Sequence, residues 1–381
     1  MTDAANPRPA STSVLSKFVY RFEIFSALVF LGFGCTPLSA GHPPRAATHL
    51  SQEANPSSPG PSPIPQTRGN TSPADDVEEA KHLVQRGQLR EAQAWLHDYL
   101  AHHAGSADAH YLLGYVLFRE IQQDAALEGD AQGAQYNDLS AALARLAKTN
   151  AEASLAEYTA GARYRKPTAD DLKIVALDYV ILGDYVDADR WFTRALEWDP
   201  NDADGWYNLG RAKYNENRFE EALRAFTECL RLDPGNVKAE DNLGLSYEGL
   251  GKMEEAKAAY RKAIDWQAQA STARSSAGPF LDLGSLLLDQ NDAQGAITYL
   301  LRAADLSPKA ALVHEKLGKA YSELNRLPEA QQEFEKAVQL SPENPRLHFM
   351  LGQVYRKEGL TDKAKAELER SAALNGSHST H

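Results

Sequence analysis

The amino-acid sequence predicts an all-α protein, a solenoid built from about eight stacked helical hairpins. Two regular series of small residues support this prediction. Within each series the spacing is 34 residues, apart from one step of 40. The alanines are Ala188, Ala222, Ala256, Ala296, Ala330 and Ala364, and the glycines are Gly210, Gly244, Gly284, Gly318 and Gly352. A fixed period of this length is typical of an array in which each unit packs only on its neighbours.

Residues 203–234 indicate that the repeated unit is a helical hairpin. Small and apolar residues recur there at intervals of three and four, which is the spacing of one helical face. The first face contains Trp206, Leu209, Gly210 and Lys213, and the second contains Phe219, Ala222, Leu223, Phe226 and Leu230. Pro234 ends the second helix because proline cannot continue the hydrogen-bond ladder. Gly210 and Ala222 are expected to let the paired helices approach closely.

Residues 1–40 are predicted to be a signal peptide or membrane anchor. Lys17 and Arg21 precede an uncharged apolar run over residues 24–34. Such a run suits the apolar core of a signal peptide and is too short to span a bilayer, which needs about 20 residues. Cys35 follows in a setting that resembles the lipobox of bacterial lipoproteins, so it is a candidate for lipidation. The alternatives are cleavage near Ala40, an uncleaved anchor, and a buried helix of a cytosolic domain.

Residues 41–73 are predicted to be a proline- and serine-rich, disordered linker. Nine prolines fall between Thr36 and Pro73. Proline at this density prevents helix and sheet, and the few apolar residues cannot offset the entropy of ordering the chain. We expect an extended tether behind the N-terminal segment.

The array is expected over residues 74–375, followed by a tail without structure over 376–381. Residues 74–168 contain atypical N-terminal repeats with an insertion at 121–149, and residues 169–375 contain six regular units. The insertion is interpreted either as a longer hairpin loop or extra helical turn, or as a segment that binds a partner. A smaller insertion at 271–276 accounts for the step of 40 and replaces the proline expected after Trp266.

The residues of the regular units resemble the signature of the tetratricopeptide repeat family. Trp206, Leu209 and Gly210 are followed by Ala222, Phe226 and Pro234. The next units repeat this pattern in phase at Leu243–Gly244 with Ala256 and Tyr260, Leu283–Gly284 with Ala296 and Leu300, Leu317–Gly318 with Ala330 and Phe334, and Leu351–Gly352 with Ala364 and Leu368.

The resemblance implies a right-handed superhelix whose first helices line a concave groove for a peptide or protein segment. Carried over by position, the groove-facing residues include Tyr207, Arg211, Tyr214, Asn215, Asp241, Glu248, Asp289, Lys319, Gln353 and Arg356. Members that bind chaperone tails carry a lysine–asparagine clamp for a terminal carboxylate. The matching positions here hold Tyr207 with Arg211 and Asp241 with Leu245, which argues against that partner.

Composition and motifs argue against catalysis, metal binding and cofactor binding. The chain has two cysteines and a net charge of -12, so neither a disulfide framework nor a general role on nucleic acid is expected. The sequence contains no Gly-rich phosphate loop, nucleophile elbow or His-Glu-x-x-His motif. A polar turn between repeats accounts for the clustered histidines, which are His82, His97, His102, His103 and His110.

These observations favour a non-catalytic scaffold for protein–protein interactions in the bacterial cell envelope. The chain is expected to be exported, periplasmic or membrane-anchored, and to contact the membrane only through its N-terminal segment. One alternative is a regulatory or substrate-recruiting subunit of an envelope enzyme or assembly machine. A second is a cytoplasmic adaptor. The sequence does not indicate the oligomeric state or the identity of the protein or peptide partner.

Overall fold

The computed structural model describes residues 73–128, 134–269 and 275–378, and within these ranges it contains sixteen α-helices and no strand. The described chain divides into two compact units. Within the described ranges, the N-terminal unit contains residues 73–128 and 140–166, and the C-terminal unit contains residues 134–139 and the chain from Pro167 onward. The predicted signal segment with Cys35, the linker up to residue 72 and the last three residues lie outside the described ranges.

The N-terminal unit contains three helices and most of a fourth, arranged in two hairpins. They are α1 (Pro73–Gln85), α2 (Leu89–His102), α3 (Ala107–Glu128) and α4 (Ala134–Gly161). Helix α3 pairs with α4 through Gly114, where an added Cβ would stand 2.8 Å from the Tyr158 ring. The predicted insertion at 121–149 is helical up to Glu128 and again from Ala134, so these residues lengthen both helices of the second hairpin.

From Pro167 onward, the C-terminal unit contains six helical hairpins. Their first helices are α5 (Ala169–Leu182), α7 (Ala203–Asn215), α9 (Val237–Gly249), α11 (Gly278–Asp289), α13 (Ala311–Glu323) and α15 (Pro345–Lys357). Their second helices are α6 (Tyr185–Trp198), α8 (Phe219–Leu232), α10 (Met253–Gln269), α12 (Ala293–Leu306), α14 (Leu327–Leu340) and α16 (Thr361–His378). Each helix packs on the preceding and the following one in this unit.

The glycines and alanines of the two series form a buried seam between the paired helices. An added Cβ at Gly210 would stand 2.6 Å from the Phe226 ring, and one at Gly244 would stand 2.5 Å from the Tyr260 ring. The predicted close approach of the two helix backbones at glycine and alanine therefore describes only part of the packing between the paired helices. The glycine mainly makes room for the large side chain that follows the alanine by four residues.

The prolines set the length of the second helices. Four second helices have a proline two positions after their last residue: α6, α8, α12 and α14. Each of these helices has 14 residues. Helices α10 and α16 lack that proline and extend to 17 and 18 residues. The prediction of an unstructured tail from residue 376 is therefore wrong for 376–378, because nothing stops the last helix before His378.

Three of the first helices use a ring N–H to fix the turn that precedes them. The acceptor is a backbone carbonyl six residues earlier, at 2.8–2.9 Å: Trp206 to Pro200, His314 to Pro308 and His348 to Pro342. A carbonyl can only accept, so the histidine Nε2 carries a proton. The other ring nitrogen, Nδ1, lies 2.6 Å from a carboxylate of the second helix, Glu333 for His314 and Glu367 for His348. Histidine at this position therefore needs a carboxylate partner that tryptophan does not need.

Candidate functional site

The first helices of the C-terminal unit share one face, which we call the first-helix face. Four side-chain contacts join a first helix to the next one and define this face. They are Asn242 Nδ2–Tyr207 Oη at 3.5 Å, Lys319 Nζ–Asp289 Oδ1 at 3.7 Å, Arg346 Nη2–Glu315 Oε1 at 3.2 Å, and Lys357 Nζ–Ser322 Oγ at 3.4 Å. Because the joined residues are 30–35 positions apart in the sequence, the face is a product of the stacking.

Two of the predicted groove residues, Tyr207 and Asp241, are only 8% exposed. The Tyr207 ring packs against Phe226 with centroids 6.0 Å apart. Asp241 Oδ2 lies at the start of α11, 3.0 Å from the position that a Cβ on Gly278 would occupy. Both side chains support the packing of the hairpins, so assigning them as exposed groove residues is incorrect.

The predicted residues in the middle of the face are half-buried and are held by neighbouring side chains. The Tyr214 ring lies edge-on to Phe219, with centroids 5.4 Å apart. Glu248 accepts a 3.0 Å hydrogen bond from the Tyr260 hydroxyl, so its carboxylate is engaged within its own hairpin. Asn215 is half-buried at the end of α7. The aromatic edge of Tyr214 and the amide of Asn215 therefore remain partly accessible on this face.

Arg211 is a cation of the first-helix face that forms no ion pair among the described residues. Its guanidinium lies 5.8 Å from the centroid of the Tyr207 ring. Burial, together with the positive charge of Arg211, lowers the pKa of Lys238 at the start of α9. Burial and the nearby Asp202 raise the pKa of Asp204 on α7. The α7–α9 part of the face thus carries charges of both signs, and the positional carry-over from the family did not include Lys238 or Asp204.

The far end of the face, on α13 and α15, carries the remaining predicted residues. Lys319 lies 3.7 Å from both Asp289 and Glu323, so its charge is shared with carboxylates. The Arg356 guanidinium donates to the Gln353 side-chain oxygen. The structure thus brings together the predicted pair Asp289 and Lys319, and the predicted pair Gln353 and Arg356.

Phe349 on α15 was not predicted as a site residue, and 49% of its surface is exposed. It follows Arg346 by three residues and precedes Gln353 by four, so the three side chains lie along one stripe of the helix. The sequence signal that points to this stripe is the absence of Asp and Glu from residues 344–357 in a protein with a net charge of -12.

No set of side chains suited to metal binding is found in the described part of the chain. It contains no group of three or more histidine, cysteine, aspartate or glutamate side chains that could hold a metal ion. Cys229 is fully buried in α8, and burial raises the pKa of its thiol to about 12, so it is not a nucleophile at neutral pH. The histidines that cluster in the sequence make separate contacts. For example, His102 Nδ1 lies 3.0 Å from the backbone carbonyl oxygen of Asp98.

None of the helices in residues 73–128, 134–269 and 275–378 is both long enough and apolar enough to cross a membrane. The predicted targeting segment at 24–34 precedes these ranges.

Four family models described as tetratricopeptide repeat match this chain. They cover residues 77–138 and 281–345, 203–236, 241–269, and 328–378. Together the matched residues make up more than half of the chain. The comparison with curated proteins finds no match.

Several solved structures are similar to the chain. The crystal structure of MamA is 26% identical, with 45% of this chain and 98% of that chain covered at a TM-score of 0.41. The structure of YrrB, titled as a TPR protein with an unusual peptide-binding site, is 24% identical, with 49% and 93% covered at 0.41. The structure of PilW, titled as a type IV pilus biogenesis factor, is 19% identical, with 56% and 94% covered at 0.49.

Proposed function

Because this chain belongs to the tetratricopeptide repeat family, we propose that it is a non-catalytic scaffold whose first-helix face binds a segment of another protein. The observation that supports this proposal most is the contrast within the first helices. Their seam side is filled by the paired helix, whereas their other side presents half-buried Tyr214, Asn215 and Arg211 along a face that continues across the hairpins.

The chemistry of this face suits an extended protein segment. Partly exposed aromatic rings supply apolar contact, and amide and charged groups beside them supply hydrogen bonds and orientation. Arg211 is already held over a ring, so less conformational entropy is lost when it meets a ligand. A groove built from residues of several hairpins binds an extended chain over a large area, as solenoid surfaces do.

The test compares two double variants of the full chain. Arg211→Glu with Tyr214→Ala alters the first-helix face, and Arg224→Glu with Trp198→Ala makes the same kinds of change at exposed positions on second helices. We expect the first variant to lose a protein partner that is captured from cells and identified by mass spectrometry, and the second to retain it. Equal recovery of the partner by both variants would refute the assignment of the face.

We further propose that the scaffold works in the bacterial cell envelope. The support is the order of the N-terminal features: two basic residues, an apolar run at 24–34, Cys35 and a proline-rich segment before the first helix. A chain held by a lipid on Cys35, with the linker as spacer, would present the hairpins away from the membrane.

Mass analysis of the N-terminus of the native protein tests the envelope proposal. A chain that begins at an acylated Cys35, or near Gly41, would support export. An intact Met1 on protein recovered from the cytosol would exclude it and favour the cytoplasmic adaptor.

A further inference from the structure

The α15 end of the first-helix face carries two consecutive cations without an ion pair. Arg356 and Lys357 are in none of the ion pairs of the described chain. Arg356 contacts the neutral side chain of Gln353, and Lys357 Nζ lies 3.4 Å from the hydroxyl of Ser322 on α13. Most other cations of the C-terminal unit lie within 4.0 Å of a carboxylate, for example Lys319 and Arg346 on this same face.

Three carboxylates on the first helices close to this end are already engaged by other cations. Glu315 is almost fully buried and pairs with Arg346 at 3.2 Å. Asp289 and Glu323 are both 3.7 Å from Lys319. Helix α15 itself contributes no carboxylate, and Glu358, which follows Lys357 directly, forms no ion pair with either cation among the described residues.

Phe349 lies about two helical turns before these cations on the same helix and adds an apolar contact. Residues 349, 353 and 356 follow one another at intervals of four and three, so Phe349, Gln353 and Arg356 lie on one face of α15. An aromatic ring with 49% of its surface exposed gains apolar burial when a partner covers it, and the surrounding cations orient the partner.

We infer that the α15 face, defined by Phe349, Gln353, Arg356 and Lys357, docks an acidic segment of a partner protein that places an apolar side chain between carboxylates. This inference rests on the proposed function and specifies the partner class for one end of the face. It requires side-chain carboxylates and no free C-terminus, because Arg356 and Lys357 present two separate cations on the same helix as the exposed ring. An anionic membrane is a poorer occupant, since Asp289 and Glu323 on the neighbouring helices would be brought against its headgroups.

The test uses the full chain and two synthetic peptides with blocked termini and a fluorescent label. One 12-residue peptide repeats Glu-Glu-Leu, and the other repeats Lys-Lys-Leu. Fluorescence anisotropy should show binding of the acidic peptide only, and this binding should weaken as salt is raised, because salt screens exposed charges.

The variants locate the binding. Arg356→Glu with Lys357→Glu should weaken binding of the acidic peptide at least tenfold, and Phe349→Ala severalfold. The control is Lys365→Glu with Arg370→Glu, which makes the same change in net charge on exposed α16 and should leave binding unchanged. Circular dichroism melting of each variant verifies that it is folded.

Three results would overturn the inference: no preference for the acidic over the basic peptide, equal loss in the α15 and control variants, or binding to vesicles with anionic lipid that depends on the same α15 residues. If any of them occurred while Arg211→Glu with Tyr214→Ala still abolished partner capture, the proposed function would stand and only the acidic partner class would fall. If the acidic peptide bound as expected while that capture was unaffected, the assignment of the α7–α9 part would fail instead.

Discussion

The seam between paired helices and the first-helix face belong to the same described helices of the C-terminal unit, yet they differ in how uniform they are. At the seam, Gly210, Gly244, Gly284, Gly318 and Gly352 all meet a large side chain of the second helix within 3.0 Å of an added Cβ. On the first-helix face, equivalent positions hold different side chains, such as Arg211, Leu245, Ser285, Lys319 and Gln353. A geometry repeated in every hairpin specifies the fold, and the positions that vary are those available to specify a partner.

The largest expected effect is at the seam. Ala222 is fully buried, so Ala222→Glu overpacks the hairpin and buries an unpaired carboxylate. We expect it to lower the free energy of unfolding by roughly 3–5 kcal/mol. Denaturant unfolding of this variant and of Glu220→Ala, at an exposed position on the same helix, provides the measurement and its control. Equal midpoints for the two variants would contradict the assigned seam.

A smaller effect is expected where histidine replaces tryptophan at the start of a first helix. Glu333→Ala removes the carboxylate that lies 2.6 Å from His314 Nδ1, which should cost about 1–3 kcal/mol because the ring nitrogen is left without its partner in a buried site. Glu329→Ala, at an exposed position of the same helix, should cost less. In a His314→Trp background the indole N–H replaces the Nε2 donor, as Trp206 does, so Glu333→Ala should become less costly. An unchanged cost in both backgrounds would show that Glu333 does not act through His314.

The ionisation of Glu221, which precedes the seam residue Ala222, should make the free energy of unfolding depend on pH. Hydrogen bonds from Arg218, with a further one from Lys213, lower the pKa of Glu221 to about 2 from its ordinary 4.5. The ionised form is favoured in the folded state, so this carboxylate stabilises the fold above pH 4.5, and the contribution decreases as the pH falls from 4.5 to about 2. Glu221→Gln should cost no more than about 1 kcal/mol at pH 7, since the pair is partly screened by solvent.

The measurement is the difference in unfolding free energy between the wild type and Glu221→Gln at several pH values. Glu220→Gln, one residue away and exposed, is the control. A difference that grew on acidification would contradict the direction of the shift.

The smallest effect on stability is expected on the first-helix face itself. Arg356→Glu changes an exposed side chain whose contact is to Gln353, so its free energy of unfolding should stay within about 0.5 kcal/mol of the wild type. Thermal melting followed by circular dichroism gives this value. A loss as large as that of Ala222→Glu would mean that the face is part of the core.

The sequence was sufficient to predict the helical hairpins and their seam, because both depend on spacings of three, four and 34 residues that are visible in one chain. It was not sufficient to predict exposure on the first-helix face. Tyr207 is covered by Phe226 and Asn242, which lie 19 and 35 residues away, and Asp241 reaches the start of α11. Such contacts depend on how successive hairpins stack, which a position rule taken from a family does not contain.

Phe349 and Lys357 were missed for a related reason. Neither departs from the helical pattern of α15, and only the lack of nearby carboxylates sets this helix apart from the others. The end of α16 was mispredicted because the polar residues from 376 onward were taken to end the helix, whereas four other second helices end just before a proline.

Site-specific photocrosslinking in cells tests the central claim, that the first-helix face binds a protein, most directly. A photoreactive phenylalanine analogue is placed at Tyr214 or Phe349 on first helices, and at the exposed positions Val186 or Leu301 on second helices as controls. We predict discrete protein adducts from Tyr214 and Phe349 and none from the two controls. Adducts from Val186 or Leu301, with none from the first-helix positions, would contradict the claim.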